Sequence, residues 1–147
     1  MRVCFDANVV IDILGASEWL AGSLAAYDVA NMRRFDSFIP ASAVTDIAYI
    51  LHRRGMPQQK VREALPALFE MFDVMDVTGA DCRNAAASPM DDFEDAVIAA
   101  SAERNGIDLI VSRDETGFVG SPVARMAPCD FVRQFKGDDL DYAEVDL

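Results

Sequence analysis

The chain has 147 residues, 52% of them hydrophobic, with 25 acidic against 13 basic side chains and a formal net charge of −12. That length fits one domain, and the apolar content can bury a sizeable core, so disorder is not the default. The charge argues against simple electrostatic capture of nucleic acid, because phosphate binding leans on Lys and Arg. Three scattered cysteines, Cys4, Cys82 and Cys129, and the single histidine, His52, offer no zinc-ligand spacing. They fit a reduced, cytoplasmic setting. Too few apolar residues precede Asp6 for a signal peptide, and no run approaches a membrane span, so no membrane partner is expected.

Val3, Cys4 and Phe5 make a short apolar strand that ends at Asp6. Asp6, Ala7 and Asn8 lead into a helical turn or two over Val9–Leu14. Residues 17–35 carry a helical pattern in Trp19, Leu20, Leu24, Tyr27 and Met32. Phe38, Ile39 and Pro40 suggest another strand, closed by the proline. Ser42 is placed to cap a helix over 43–54, where Val44, Ile47, Ala48 and Leu51 form one apolar stripe. Asp46 lies off that stripe, facing either solvent or a cleft. Gly55-Met56-Pro57 breaks the chain. Gln58 to Phe72 reads as a helix, with a kink or break expected at Pro66. Asp73 to Val77 alternates like a strand, and Asp81 to Ala87 is a short helix.

Asp91 to Phe118 is the most informative stretch. Asp92 and Asp95 have the spacing of a capping box, and the helix they open runs to the stop signal Gly106. Leu109, Ile110 and Val111 look like a buried parallel strand, and Ser112, Arg113 and Asp114 leave its C-terminal end. In open α/β sheets ligands bind at that end of the strands. Pro122 to Met126 suggests an edge strand and Asp130 to Phe135 a last helix. An acidic tail follows from Lys136. Strands alternating with helices predict a three-layer α/β sandwich with a mainly parallel sheet of four or five strands.

Asp6 and Asp114 thus follow strands, while Asp46 and Asp95 fall in first helical turns. If the two strands are neighbours, their ends bring these carboxylates together. Such a cluster repels itself, and a divalent cation would neutralise it. Oxygen donors without His or Cys favour Mg²⁺ or Mn²⁺ over zinc. Each acid also has a plainer reading. Asp6 could merely cap a helix, Asp95 could complement a helix dipole, Asp114 could form a turn and Asp46 could be solvated. Asp92 and Glu94 read as cap and surface charge. Asn8 and Ser112 could orient the carboxylates or satisfy turn backbone.

In this order the pieces are familiar. The chain resembles the PIN-domain nucleases, especially small bacterial proteins related to VapC-type toxins. The matching pieces are VCFDANVVIDIL, IPASAVTDIAYIL, DFEDAVIAASAERNGIDLIVSRDETGF and VARMAPCDFV. The resemblance implies a PIN-like domain over residues 1–135, with 136–147 as an acidic tail. It implies an acidic quartet, here Asp6, Asp46, Asp95 and Asp114, that binds Mg²⁺ or Mn²⁺ and carries catalysis. Asn8 and Ser112 occupy the supporting polar positions. It further implies metal-dependent endoribonuclease activity, as the toxin of a type II toxin–antitoxin pair, with RNA as substrate, a cognate antitoxin as partner and a homodimer as assembly. Two positions depart from the pattern. Relatives often have Glu where Asp46 stands and a further Asp where Gly117 stands.

Six basic residues, Arg33, Arg34, Arg53, Arg54, Lys60 and Arg62, could form a local rim, with Arg53 and Arg54 as RNA contacts, or be ordinary helix surface. Three readings compete with the leading one. A phospho-acceptor receiver module wants a lysine after a late strand, which is missing. A catalytically weak PIN-like module would bind RNA or serve assembly. A DNA nuclease acting on 5′ structures would want a longer chain.

Overall fold

A computed structural model of the chain describes residues 1–15 and 17–138, so expectations for the tail beyond 138 lie outside the described residues. Five strands, β1 (Arg2–Phe5), β2 (Asp36–Pro40), β3 (Asp73–Met75), β4 (Leu109–Val111) and β5 (Arg125–Met126), form one sheet in the order β3-β2-β1-β4-β5. Every pairing is parallel. Parallel neighbours need crossover connections, and helices supply most of them. They are α1 (Ala7–Gly15), α2 (Leu20–Met32), α3 (Ala41–Arg53), α4 (Gln58–Met71), α5 (Gly79–Ala86), α6 (Phe93–Arg104) and α7 (Pro128–Phe135).

Val3 to Phe5 of β1 and all of β4 are apolar and buried because both faces of these strands are covered. Val3, Phe5, Leu109 and Val111 enter one core with residues of α1, α2, α3, α4 and α7. Cys4 and Ile110, pointing the other way, enter a second core with α5 and α6. This is the expected three-layer α/β/α sandwich. From β1 the chain builds outward through β2 to β3, then returns to lay β4 and β5 on β1's other side. The β1–β4 pair is therefore the topological switch point, where an open α/β sheet leaves a crevice at its C-terminal edge.

Local departures from the sequence reading have physical causes. Pro66 does not break α4, which runs unbroken from Gln58 to Met71. Arg62, whose carbonyl loses its intrahelical donor, is exposed, so water can take the donor's place. Ser42 is not the cap of α3. Pro40, with extended φ −66° and ψ 145°, stands at the cap position. Ser42 is already inside the first turn, and its carbonyl accepts from Thr45 Oγ1 at 2.7 Å. The large residues of and beside α2 divide, with Tyr27 packed on Phe5 and Phe72 while others face solvent. Trp19, Leu24 and Met32 are exposed, while Ser23, Ala25, Ala26, Val29 and Ala30 are buried. Small residues on that face let α2 approach α1 and α7 closely. At the end of α6, Gly106 takes a φ of +66°, and the Ile107 N–H closes back on the Ala102 carbonyl at 2.9 Å.

An ion pair with its carboxylate buried and its guanidinium exposed ties α5 to α6. Thr78 and Asp81 form a reciprocal capping box at the start of α5. Asp81, only 1% exposed, also receives Arg104 Nε at 2.9 Å and Nη2 at 2.8 Å. The Arg104 guanidinium, helped by the Thr78 donors, holds the Asp81 carboxyl down at about 2. A carboxyl depressed in the folded state stabilises above its unfolded value of about 4 and stops doing so as pH falls toward 2. Asp81→Ala is expected to cost about 1–3 kcal/mol at pH 7, the range for a cap plus charged hydrogen bonds. Urea melts of both chains should converge as pH is lowered from 6 to 2.

Candidate active site

β1 delivers Asp6 into the crevice. The Asp6 N–H donates to the Val111 carbonyl of β4 at 3.0 Å, so strand pairing continues up to the acid itself. Asp6 is buried and ringed by donors. Its Oδ1 accepts from the Ala7 N–H at 2.6 Å, and its Oδ2 from Asn8 Nδ2 and Ser112 Oγ, each at 2.6 Å. Asn8 Nδ2 also reaches Ser112 Oγ at 3.0 Å, and Asn8 Oδ1 accepts from the Arg113 N–H at 3.2 Å. Ser112 Oγ in turn accepts from the Asp114 N–H at 3.0 Å. Asn8 and Ser112 therefore do both things the sequence left open: they orient Asp6 and they satisfy the backbone after β4.

Asp114 forms a turn with one oxygen, and among the described residues no hydrogen bond is made to the other. Its Oδ1 accepts from the Thr116 N–H (2.9 Å), Thr116 Oγ1 (3.1 Å) and the Gly117 N–H (2.8 Å). Asp95 stands in the first turn of α6, where Asp92 is the N-cap and accepts the Asp95 N–H at 3.1 Å. The Asp95 carboxylate fills the space that a side chain at Gly117 would need. A Cβ there would lie 1.7 Å from Asp95 Oδ2 and 3.1 Å from Asp114 Cγ. Gly117, read in the sequence as a departure from the pattern, is thus what admits Asp95 beside Asp114.

Asp46, half-buried on α3, stands outside this hydrogen-bonded frame. Its acidic neighbour is Glu94, whose carboxyl is pushed up by burial first and then by Asp46, Asp6 and Asp92. Glu94 is exposed, in line with its reading as a surface charge, and the fold adds its nearness to Asp46. Asp12 was missed, hidden in an apolar run. It is buried and receives Arg113 Nε at 2.7 Å and Nη2 at 3.2 Å, together with Ser17 Oγ at 2.7 Å and Ser23 Oγ at 3.0 Å. That pair pins the loop after β4 against α1.

Burial and like charge dominate the electrostatics. Asp6 is raised by burial, opposed by hydrogen bonds from Ser112 and Ala7, and raised again by Asp114. Asp95 is pushed up to about 7 by burial, then by Asp6, Asp92, Asp114 and Glu94. Asp114 is held below the usual range by the Gly117 and Thr116 N–H groups. In chemistry these donors fit a hard divalent cation: carboxylate oxygens, one of them a charge its surroundings resist. In position they are open. Among the described residues, no three acidic, His or Cys side chains are gathered closely enough to enclose an ion as they stand.

A family model described as PIN domain matches residues 2–116. The chain belongs to the PIN-domain family. That span includes Asp6, Asp46, Asp95 and Asp114. No curated protein matches this PIN domain in sequence. Its fold is similar to several solved structures. One, described as FitAB bound to a DNA fragment, is 17% identical with a TM-score of 0.67, over 86% of this chain and 95% of that one. Another is VapBC2 from Rickettsia felis bound to a promoter DNA fragment, at 12% identity and TM-score 0.64, over 86% and 98%. A third is a toxin–antitoxin complex from Klebsiella pneumoniae, at 17% identity and TM-score 0.61, over 86% and 97%.

The six basic residues do not line one rim of this PIN domain. Arg33 and Arg34 sit between α2 and β2, where β2 begins, at the opposite edge of the sheet from the carboxylates. Arg33 donates to the carbonyls of Phe135 and Lys136 and so holds the end of α7. Lys60 pairs with Glu63 at 2.7 Å. Arg53 and Arg54 are exposed at the end of α3.

Two outcomes test the site. Gly117→Ala would place a Cβ where Asp95 Oδ2 lies, so that carboxylate must turn aside, and the rise in Tm on adding Mn²⁺ should shrink toward that of Asp95→Asn. Second, Asp95 has a folded value raised above its unfolded one. It therefore stabilises below about pH 4 and ceases to as pH rises through about 7. Without divalent cations, Tm should fall across that window, and Asp95→Asn should flatten the fall.

Proposed function

We propose that this PIN domain is a divalent-metal-dependent endoribonuclease, with Asp6, Asp46, Asp95 and Asp114 as its acidic residues and Asn8 and Ser112 as their support. The observation that carries the reading is the meeting of Asp6 and Asp114 through Ser112 at the β1–β4 switch point, with Asp95 admitted beside Asp114 by Gly117. Carboxylates crowded at the ligand-binding edge of a parallel sheet are costly to the fold unless a cation offsets them. Asp6, Asp95 and the free oxygen of Asp114 would hold Mg²⁺ or Mn²⁺, with Asp46 completing the set through its shorter arm. Such an ion, when bound, supplies an activated water and stabilises charge on a phosphodiester.

The chain's own residues prepare for that chemistry. Asn8 and Ser112 fix the Asp6 carboxylate in one orientation. The Thr116 and Gly117 N–H groups keep Asp114 ionised. The Asp12–Arg113 pair keeps the loop after β4 from shifting. A structural neighbour described as a toxin–antitoxin complex supports a role as the toxin of such a pair, with an antitoxin as protein partner. Assembly as a homodimer and action in the cytoplasm belong to the same proposal. A second reading, an RNA-binding PIN module with weak catalysis, is favoured by one observation: the acids are not gathered around a preformed ion site.

The deciding measurement is cleavage of end-labelled single-stranded RNA and DNA by the purified chain in Mn²⁺, Mg²⁺ or EDTA. RNA should be cut only with metal. Asp6→Asn should slow cutting by about a hundredfold or more, the scale of losing a metal-borne contribution of several kcal/mol. Metal-dependent RNA binding without cutting would select the second reading.

A further inference from the structure

A chain of net charge −12 holds RNA poorly by phosphate contacts alone. Two exposed aromatic side chains offer another means. Trp19, just before α2, is 53% exposed, and Tyr49, one turn beyond Asp46 on α3, is 60% exposed. Each has a guanidinium over its ring, Arg113 at 5.3 Å from the Trp19 centroid and Arg53 at 5.8 Å from the Tyr49 centroid. Each ring also edges a cavity. One of about 450 Å³ is lined by Trp19, Arg113, Glu115 and Pro128. The other, about 330 Å³, is lined by Tyr49, His52, Arg62 and Leu65.

Their placement follows from the sheet. Arg113 leaves β4 directly before Asp114, and α3 leaves β2 carrying Asp46, while Asp6 ends β1 between those two strands. The two aromatic–arginine pairs therefore belong to segments that leave the two strands flanking β1, which ends at Asp6. Arg113 brings little free charge, because the buried Asp12 carboxylate is already bonded to it. A guanidinium on one face of a ring instead fixes the ring and adds cation–π attraction, leaving the rest of the exposed ring for a flat partner.

We infer that the Trp19–Arg113 and Tyr49–Arg53 pairs are stacking seats for unpaired bases of one RNA strand, on either side of the phosphate presented to the carboxylates. This rests on the nuclease reading above and names how its substrate is held. Base–aromatic stacking tolerates an acidic protein because the base makes the contact, not the phosphate. A duplex, whose bases are already paired and stacked, cannot use the seats.

Trp19 is the only tryptophan in the chain, so its fluorescence reports on one seat directly. The full chain is titrated, with Ca²⁺ in place of Mg²⁺, with a single-stranded oligoribonucleotide, the same sequence as a duplex, and an abasic strand of equal length. Only the single strand with bases should quench. Binding of the labelled strand, read by anisotropy, should weaken about 5- to 150-fold in each of Trp19→Ala and Tyr49→Ala. Its slope of log K against log salt should be no steeper than about −1.4, the share of two phosphates. Both side chains are exposed, and unchanged melting curves will confirm that the variants fold. Equal quenching by the abasic strand, a steeper slope, or full affinity in both variants overturns the inference and leaves these rings to a protein partner or a second copy. RNA cleavage in Mn²⁺ with no quenching sinks the seats and keeps the nuclease. Quenching with no cleavage keeps the seats and sinks the nuclease.

Discussion

Mutual repulsion among Asp6, Asp95 and Asp114 is the constraint around which this PIN domain is arranged. Pairing of β1 with β4 sets two acidic strand ends side by side, and the missing side chain of Gly117 lets a third carboxylate in. Burial and like charge together lift Asp95 to about 7. Hydrogen bonds from Ser112 and Ala7 to Asp6, and from Thr116 and Gly117 to Asp114, offset part of that cost. The folded chain carries the remainder through two apolar cores, one on each face of the sheet, and both converge on β1 and β4. The strands that carry the strain are therefore the most firmly buried.

Between core and crevice lies a polar frame that keeps the acids in register. Ser112 bonds both to Asp6 and to the backbone of Asp114, and Asn8 spans from Asp6 to Arg113. Asp12 then anchors Arg113 from inside α1, with Ser17 and Ser23 filling its remaining acceptor sites. A buried carboxylate is tolerable there because every bond it lost to water is replaced. The same arginine reaches the face of Trp19, so one guanidinium links the acidic centre to the outer surface.

The overall charge and the local surface give different answers about partners. Summed over the chain, acidity opposes RNA binding. Locally, Arg113 is paired with Asp12 and laid on Trp19, and the cavities beside the two rings are bounded by flat and apolar groups as well as charged ones. A surface of that kind distinguishes bases from backbone. Net charge reports on long-range attraction, which salt screens, and says little about contacts made at van der Waals distance.

The layer architecture and most of the elements were legible in the order of residue types, because hydrophobic period and breaker residues act over a few neighbours. The sequence placed Asp6 and Asp114 at strand ends, Asp95 in a first helical turn, and Asn8 and Ser112 as their polar companions. It misplaced the cap of α3 and did not pick out the small residues on the buried face of α2, since close packing selects residues that a hydrophobicity pattern passes over. Only the tertiary structure decided what depends on side chains far apart in the chain. Asp12 meets Arg113 across 101 positions, Glu94 turns toward Asp46, and Gly117 makes room for Asp95. Those contacts exist because the sheet reverses its order of growth at β1. That reversal joins distant segments through backbone pairing, which no local pattern of residue types records.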